Sequence, residues 1–458
     1  MPPSVAFAAA EVAPFAKVGG LADVAGSLPQ ALAAQGCSVT VYLPLHRSID
    51  RVRWGIPARG PGQPHPAIVR DGVRIVFIDD EARIARPRVY GEPDDGQRYA
   101  YFCRAVADAV KETPVDVLHA HDWHAALLVQ MIEGPATVFT IHNLAYQGRT
   151  SADILAPVGL PVAGFPFEAP GECNPMARAI ALADMVSTVS PSYAEEILTP
   201  AFGEGLDGLL RARARDVRGI VNGIDTIAFD PARDPQLVAA YSADDQRGKA
   251  ACKAALQAEG GLRIDAATPL LAVIGRLVEQ KGVDLLTAVA PDLLEAGAQL
   301  AVLGTGDPAY EERWRTLQVR YPSRLFLTLG FDAALAQRIY GACDLFLMPS
   351  RFEPCGLGQL ISLRYGTIPV VRSVGGLADT VRDADADPRT GNGFSFAQHD
   401  RTAFSGALAR ALRAYRRSGD GWTALRTRAM REDHSWTASA QAYLALYDDA
   451  VRRHRGGR

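Results

Sequence analysis

The residues best suited to chemistry lie in one stretch, Pro349-Ser350-Arg351-Phe352-Glu353-Pro354-Cys355-Gly356-Leu357-Gly358. It follows an apolar run, Cys343-Asp344-Leu345-Phe346-Leu347-Met348, which is too short for a helix and reads as a buried strand. A helix opens near Gly358-Gln359-Leu360. Glu353 is thereby placed in a strand-to-helix turn at the carboxyl end of a strand, where open α/β sheets bind their ligands. Pro354 holds the preceding residue extended, and the glycines that follow let backbone N–H groups come close to a ligand. The chemistry on offer is a carboxylate beside an anion cradle.

Further stretches have related chemistry. Gly275-Arg276-Leu277-Val278-Glu279-Gln280-Lys281-Gly282 leaves the strand Leu270-Leu271-Ala272-Val273-Ile274, so Arg276 and Lys281 can converge on a diphosphate. Lys17-Val18-Gly19-Gly20-Leu21-Ala22-Asp23 follows the first strand and opens a helix, offering a phosphate backbone N–H groups and a lysine charge. A tight turn with a surface lysine is the plainer reading of that segment, which lacks the G-x-G-x-x-G spacing. Arg372-Ser373-Val374-Gly375-Gly376-Leu377-Ala378-Asp379-Thr380 echoes it, with glycines expected to precede a helix and to turn donors toward a cleft.

His119-Ala120-His121-Asp122-Trp123-His124 ends one strand and Thr140-Ile141-His142-Asn143-Leu144 the next. Alternation puts His119 and His121 on one face, which raises a metal site, but no HExxH helix or cysteine pair accompanies them. Sugar-hydroxyl ligation explains polar strand ends better. Asp383-Ala384-Asp385-Ala386-Asp387 has a D-x-D pattern, yet it follows a helix rather than a strand and reads as an acidic loop. No metal and no cofactor are expected.

These residues need a scaffold of strands that end in loops. Short apolar runs alternate with turns and amphipathic segments, the rhythm of parallel sheets with crossover helices. Strands are expected at 4–10, 38–43, 115–120, 136–142, 184–189 and 218–221, with helices near 20–35, 123–132, 174–183 and 191–199. The segment 52–98, rich in proline, glycine and charge, reads as loops and a hairpin. A composition shift at 222–245 marks a crossover, after which strands recur near 269–275, 298–304, 324–328, 343–348, 368–372 and 392–396. The expected fold class is therefore α/β, with two Rossmann-like domains facing a central cleft. The first spans 1–240, with a C-terminal helix at about 435–458 packing back on it, and the second spans 241–434.

A chain of 458 residues suits more than one domain. With 48 basic and 51 acidic residues, nothing in the charge balance argues for nucleic acid or an anionic membrane. The arginine-rich end, Arg452-Arg453-His454-Arg455-Gly456-Gly457-Arg458, reads as a solvated helix face and a frayed terminus rather than a polyanion site. Six cysteines without paired spacing fit a reducing cytoplasm. The apolar start has no basic region and runs into Glu11, unlike a signal peptide, and no uncharged run approaches the ~20 residues of a membrane helix.

Together the motifs resemble those of the bacterial glycogen synthase and plant starch synthase family, almost from end to end. Lys17-Val18-Gly19-Gly20-Leu21 is similar to its K-T-G-G-L and His121-Asp122-Trp123-His124 to its H-D-W-H. Thr140 to Gly148, Val221-Asn222-Gly223-Ile224-Asp225 and Ser350 to Leu357 match as closely. The resemblance implies a retaining glucosyltransferase with the two-domain GT-B fold, taking ADP-glucose as donor and an α-1,4-glucan as acceptor.

By that resemblance Arg276 and Lys281 hold the diphosphate, joined by Lys17, Gly19 and Gly20. The turn Cys355, Gly356, Leu357 and Gly358 cradles phosphate, and Phe331 stacks on adenine. Glu353 is the carboxylate near the glucose, His142 and Asn222 bind its hydroxyls, and Asp122 lies on the acceptor side. Val18 and Gly358 stand where the family has threonines, and the loops around 52–98 and 147–175 look short. The alternative is another retaining two-domain glycosyltransferase, with a UDP-glucose donor or a sucrose- or maltose-phosphate-type product; many of those place a second glutamate eight residues after the first, where this chain has Ile361. A noncatalytic glucan-binding relative is disfavoured, because Glu353, Arg276 and Lys281 are all present.

Overall fold

A computed structural model of the chain describes residues 2–60, 63–417 and 419–456. The chain divides into two compact units, Met1–Gly223 with Trp436–Arg458, and Ile224–Ser435. Both are α/β, the class expected from the rhythm of the sequence.

In the first unit the strands β1 (Ser4–Ala8), β2 (Ser38–Pro44), β3 (Ala67–Arg70), β4 (Val73–Ile78), β5 (Val117–His121) and β6 (Ala136–Ile141) come first in the chain. After them a small antiparallel pair, β7 (Thr150–Ser151) and β8 (Glu172–Cys173), stands apart from the main sheet. β9 (Met185–Thr188) and β10 (Val217–Gly219) complete the sheet, whose order is β10-β9-β6-β5-β1-β2-β4-β3. Among the described residues of this sheet, β3–β4 is the one antiparallel pair. Strands such as Val117–His121 and Ala136–Ile141 are buried throughout, as expected for a sheet covered on both faces.

In the second unit β11 (Leu270–Ile274), β12 (Gln299–Gly304), β13 (Leu325–Leu329), β14 (Leu345–Met348), β15 (Ile368–Arg372) and β16 (Phe394–Phe396) form a wholly parallel sheet. Its order is β13-β12-β11-β14-β15-β16. Each sheet reverses its winding once, at β1/β5 in the first unit and at β11/β14 in the second. Such switch points are where doubly wound sheets bind ligands.

Several boundaries differ from the expectation. Residues 224–240 fold with the second unit, because Ile224 pairs with Ser435 while Phe229 and Leu237 join the core around Tyr241. The hydroxyl of Tyr365 reaches Asp234, a further tie within this unit. The helix Trp436–Gly456 belongs to the first unit, where Tyr443 and Tyr447 are buried. The helix Asp95–Glu112 starts inside the supposed loop segment 52–98 and was not expected. Its buried Tyr99, Phe102, Cys103, Val106 and Val110 carry a clear helical period, masked in the sequence by the polar Asp94-Asp95-Gly96 that opens it. The expected helix at 123–132 is interrupted at Leu127.

The basic tail is not frayed as far as Gly456: Arg453 pairs with Asp216 at 2.6 Å and His454 meets Asp184 at 3.1 Å. Gly457 and Arg458 lie outside the described residues, as do Met1, Pro61, Gly62 and Ser418. All six cysteines are buried and unbridged. Among the described residues no helix is long and apolar enough to cross a membrane.

Candidate active site

The loops that leave the two switch-point strands of the second unit are laced together. Arg351 N–H donates to Gln280 C=O at 2.8 Å, linking the loop after β14 to the loop after β11. Gly282 sits in the left-handed region at φ +68°, and a Cβ there would fall 2.0 Å from Pro349 C=O, so only glycine lets the loops meet. This lacing brings Lys281 Nζ to 2.5 Å from Glu353 Oε2, which also accepts from Ser350 Oγ at 3.1 Å. The Glu353 carboxylate is nearly inaccessible, while Lys281 keeps about a quarter of its surface exposed (6% and 27%). Arg276 is exposed in the same loop and donates to Gln280 Oε1 at 3.0 Å.

The turn after Glu353 is held from behind. Gln359 Nε2 donates to the carbonyls of Cys355 (3.0 Å) and Gly356 (2.9 Å) and to Thr380 Oγ1 (3.1 Å). Cys355 is buried, whereas Gly356, Leu357 and Gly358 are half-buried. A Cβ at Gly358 would meet the Phe346 ring at 2.9 and 3.0 Å, so the space of the missing threonine side chain is filled by a core aromatic. Phe331 follows β13 and is 79% exposed.

The echo at Gly375-Gly376 needs correcting. The glycines form the first turn of the helix Gly375–Thr380 rather than preceding it, and Gly376 N–H is spent on Glu353 C=O (3.1 Å) and Pro354 C=O (3.2 Å). A Cβ at Gly376 would lie 2.2 Å from Cys355 C=O. This glycine seats the Glu353 turn and offers no donor to a ligand. The D-x-D loop is also structural, since Asp383 accepts from Ser395 N–H at 2.8 Å and pairs with Arg410 at 2.9 Å.

In the first unit the loop after β1 carries Lys17, Gly19 and Gly20, all exposed. Glu11, which sequence reasoning passed over, organises it. The Glu11 carboxylate is buried and accepts from Val18 N–H (2.5 Å) and Gly19 N–H (3.0 Å). Gly19 N–H is therefore engaged within the protein, contrary to the expectation that it faces a phosphate. Lys17 Nζ lies 2.6 Å from Asp23, and Gly20 opens the helix Gly20–Ala34. Burial raises the Glu11 pKa, although the Gly19 and Val18 N–H bonds oppose that. No pattern around Glu11 signals this role, because only the folded loop brings the donors to it.

The strand ends at β5 and β6 hold the imidazoles. His119 is tied at both nitrogens, to Tyr447 OH (2.9 Å) and Thr140 Oγ1 (2.6 Å), which leaves none for a metal. His121 Nδ1 contacts His142 Nε2 at 2.9 Å. Asp122, at φ +55°, accepts from His142 N–H at 2.8 Å. Burial pushes the pKa of His142 down to about 3 and that of Asp122 up to about 7. Asn222 is buried, and its Oδ1 has no partner among the described residues. Among those residues no three His, Cys, Asp or Glu side chains gather as metal ligands do.

Comparison with known proteins agrees with the residue pattern. Residues 4–212 match the starch synthase catalytic domain, and residues 259–419 match the glycosyl transferases group 1 family. The glycogen synthase of Anaeromyxobacter dehalogenans strain 2CP-C is 46% identical over 97% of this chain and 98% of its own. That of Streptococcus equi subsp. equi is 44% identical over 97% and 99%. Among solved structures, the catalytic domain of starch synthase IV from Arabidopsis thaliana, bound to ADP and acarbose, is 35% identical with a TM-score of 0.92, covering 99% of this chain and all (100%) of that one. A sucrose-phosphate synthase from Thermosynechococcus elongatus, 20% identical with a TM-score of 0.65 over 98% and 99%, shares the fold. With two parallel-sheet α/β units of the GT-B type and full-length identity above 40% to such enzymes, the chain belongs to the glycogen synthase and starch synthase family of hexosyltransferases.

Proposed function

We propose that the chain transfers glucose from ADP-glucose to the non-reducing end of an α-1,4-glucan, with retention of anomeric configuration, in the cytoplasm. The observation that carries this reading is the Lys281–Glu353 pair at the β11/β14 switch point, with Arg276 in the same loop. Breaking a glycosyl phosphate builds negative charge on the departing ADP and positive charge on the sugar. Fixed cations at the leaving group and a carboxylate near the sugar oppose those charges directly, and one well-placed donor can be worth ~3 kcal/mol, about a hundredfold in rate.

Arg276 and Lys281 take the diphosphate, with Lys17 and Gly20 adding to them. The N–H groups of the turn Cys355 to Gly358 serve its oxygens, and Phe331 packs on the adenine. Lys281 then exchanges Glu353 for phosphate when the donor binds. His142 and Asn222 take sugar hydroxyls; the buried Oδ1 of Asn222, with no partner among the described residues, fits a group completed by a ligand. Asp122 serves the acceptor side.

Glu353 Oε2 accepts a hydrogen bond from Ser350 Oγ that does not depend on Lys281. That engagement fits a carboxylate that stabilises sugar charge better than a free nucleophile, and supports front-face attack in which the leaving phosphate takes the acceptor proton. The ADP in the starch synthase IV structure supports the donor reading.

The test is incubation with glycogen and either ADP-glucose or UDP-glucose, following released nucleotide and the anomeric linkage by NMR. Faster ADP release with a new α-1,4 linkage is expected. Preference for UDP-glucose would overturn the donor assignment, and an inverted linkage would overturn retention.

A further inference from the structure

A second histidine stands behind His142. His121 ends β5, is fully buried, and meets His142 Nε2 through its Nδ1 at 2.9 Å. Its ring is held in place: Phe7 stacks on it with centroids 3.9 Å apart, and the His119 ring packs at 3.9 Å. His119 is itself anchored by Tyr447 and Thr140. Burial lowers the pKa of both His121 and His142, so both rings are neutral near pH 7.

Two neutral imidazoles sharing one contact must divide the roles of donor and acceptor. The other nitrogen of His121, Nε2, is buried with no partner among the described residues. A proton there would strand an N–H donor in a dry interior, whereas a proton on Nδ1 is used in the contact and leaves only a lone pair at Nε2. His121 is therefore the donor, His142 accepts at Nε2, and the one proton of neutral His142 resides on Nδ1.

We propose that His121 is a positioning residue for glucosyl transfer: by donating to His142 Nε2 it fixes His142 as the Nδ1–H tautomer, which presents a hydrogen-bond donor to a hydroxyl of the substrate sugar. The proposal rests on the reading of His142 as a sugar ligand. It separates from that reading because the tautomer can be observed without substrate.

Long-range 1H–15N correlation spectra of the full-length protein labelled at histidine, assigned with His142→Gln, read the tautomer directly. The parent is expected to show neutral His142 protonated at Nδ1. His121→Phe keeps a stacking ring but removes the donor, so His142 loses the bond that holds its ring and its sharp Nδ1–H signature is expected to broaden. It should also lower kcat/KM for ADP-glucose about tenfold, the worth of one hydrogen bond, with ADP affinity unchanged. His121→Asn, whose amide can donate from near the Nδ1 position, should restore most of that loss. An Nε2–H tautomer in the parent would overturn the proposal, as would parental kcat/KM in His121→Phe. A loss that tracks Tm and is not rescued by asparagine would reduce His121 to packing and also overturn it. If His121→Phe does not fold, the parent spectrum and His121→Asn still decide. Absence of transfer in the parent would instead overturn the sugar-ligand reading, with the spectrum still deciding the tautomer.

Discussion

The two switch points share a topology and differ in electrostatics. At β1/β5 the ionisable groups are driven toward neutrality: burial lowers the pKa of His119, His121, His124 and His142 and raises that of Glu11 and Asp122. At β11/β14 basic and acidic side chains lie against one another, Lys281 with Glu353 at 2.5 Å and Arg351 with Asp284 at 2.7 Å and Glu279 at 3.2 Å. At β1/β5 the first cause is desolvation, which disfavours the charged form of each group. A neutral hydrogen-bonding surface suits sugar hydroxyls, and a set of paired charges that a ligand can re-pair suits a diphosphate. One fold thus prepares two chemistries.

If the second unit carries the charged half of the work, Glu353→Ala should have the largest effect, lowering kcat by about a thousandfold or more with Tm preserved. Near-normal turnover in that variant would break the contrast at its centre. Lys281→Ala should cost about a hundredfold in kcat/KM for ADP-glucose, measured by ADP release. Lys17→Ala, which removes an exposed cation already paired with Asp23, should cost only about tenfold. Equal losses at the two lysines would erase the distinction.

Gly358→Thr should destabilise the fold by about 1–3 kcal/mol in urea titration, because its Cβ would press on the Phe346 ring. An unchanged midpoint would show that Phe346 yields easily.

The neutral half is sharpened by pH. The Asp122 pKa is raised from its ordinary 3.8 to about 7 by burial, so its contribution to stability is complete below about pH 4 and is lost as pH rises through 7. The Tm of the parent should therefore fall relative to Asp122→Asn across that window, and a constant difference would contradict the shift. The smallest effect is expected at Val18→Thr. Val18 is 61% exposed and its backbone N–H serves Glu11 whatever the side chain, so kinetics within about twofold of the parent are expected.

Much of this was legible in the chain. The apolar runs ending at Ile274 and Met348 locate β11 and β14, and the loops after them hold Lys281 and Glu353, which the structure brings together. The helix Asp95–Glu112 was legible too, but its polar opening hid a regular apolar period. Glu11 was not, because its donors, Val18 and Gly19, reach it only once the loop has folded back. Gly376 misled for a related reason: two glycines before an apolar residue look like a ligand cradle, whereas the fold uses the close approach to seat Cys355.

By itself the sequence determined which segments become strands and what chemistry ends each one, since hydrophobic period, proline and glycine act locally. Tertiary structure alone decided the charge and the proton positions of those ends. Desolvation and hydrogen-bond partners come from parts of the chain far away: Tyr447 reaches His119 across 328 residues, Phe7 covers His121, and Lys281 meets Glu353 across 72.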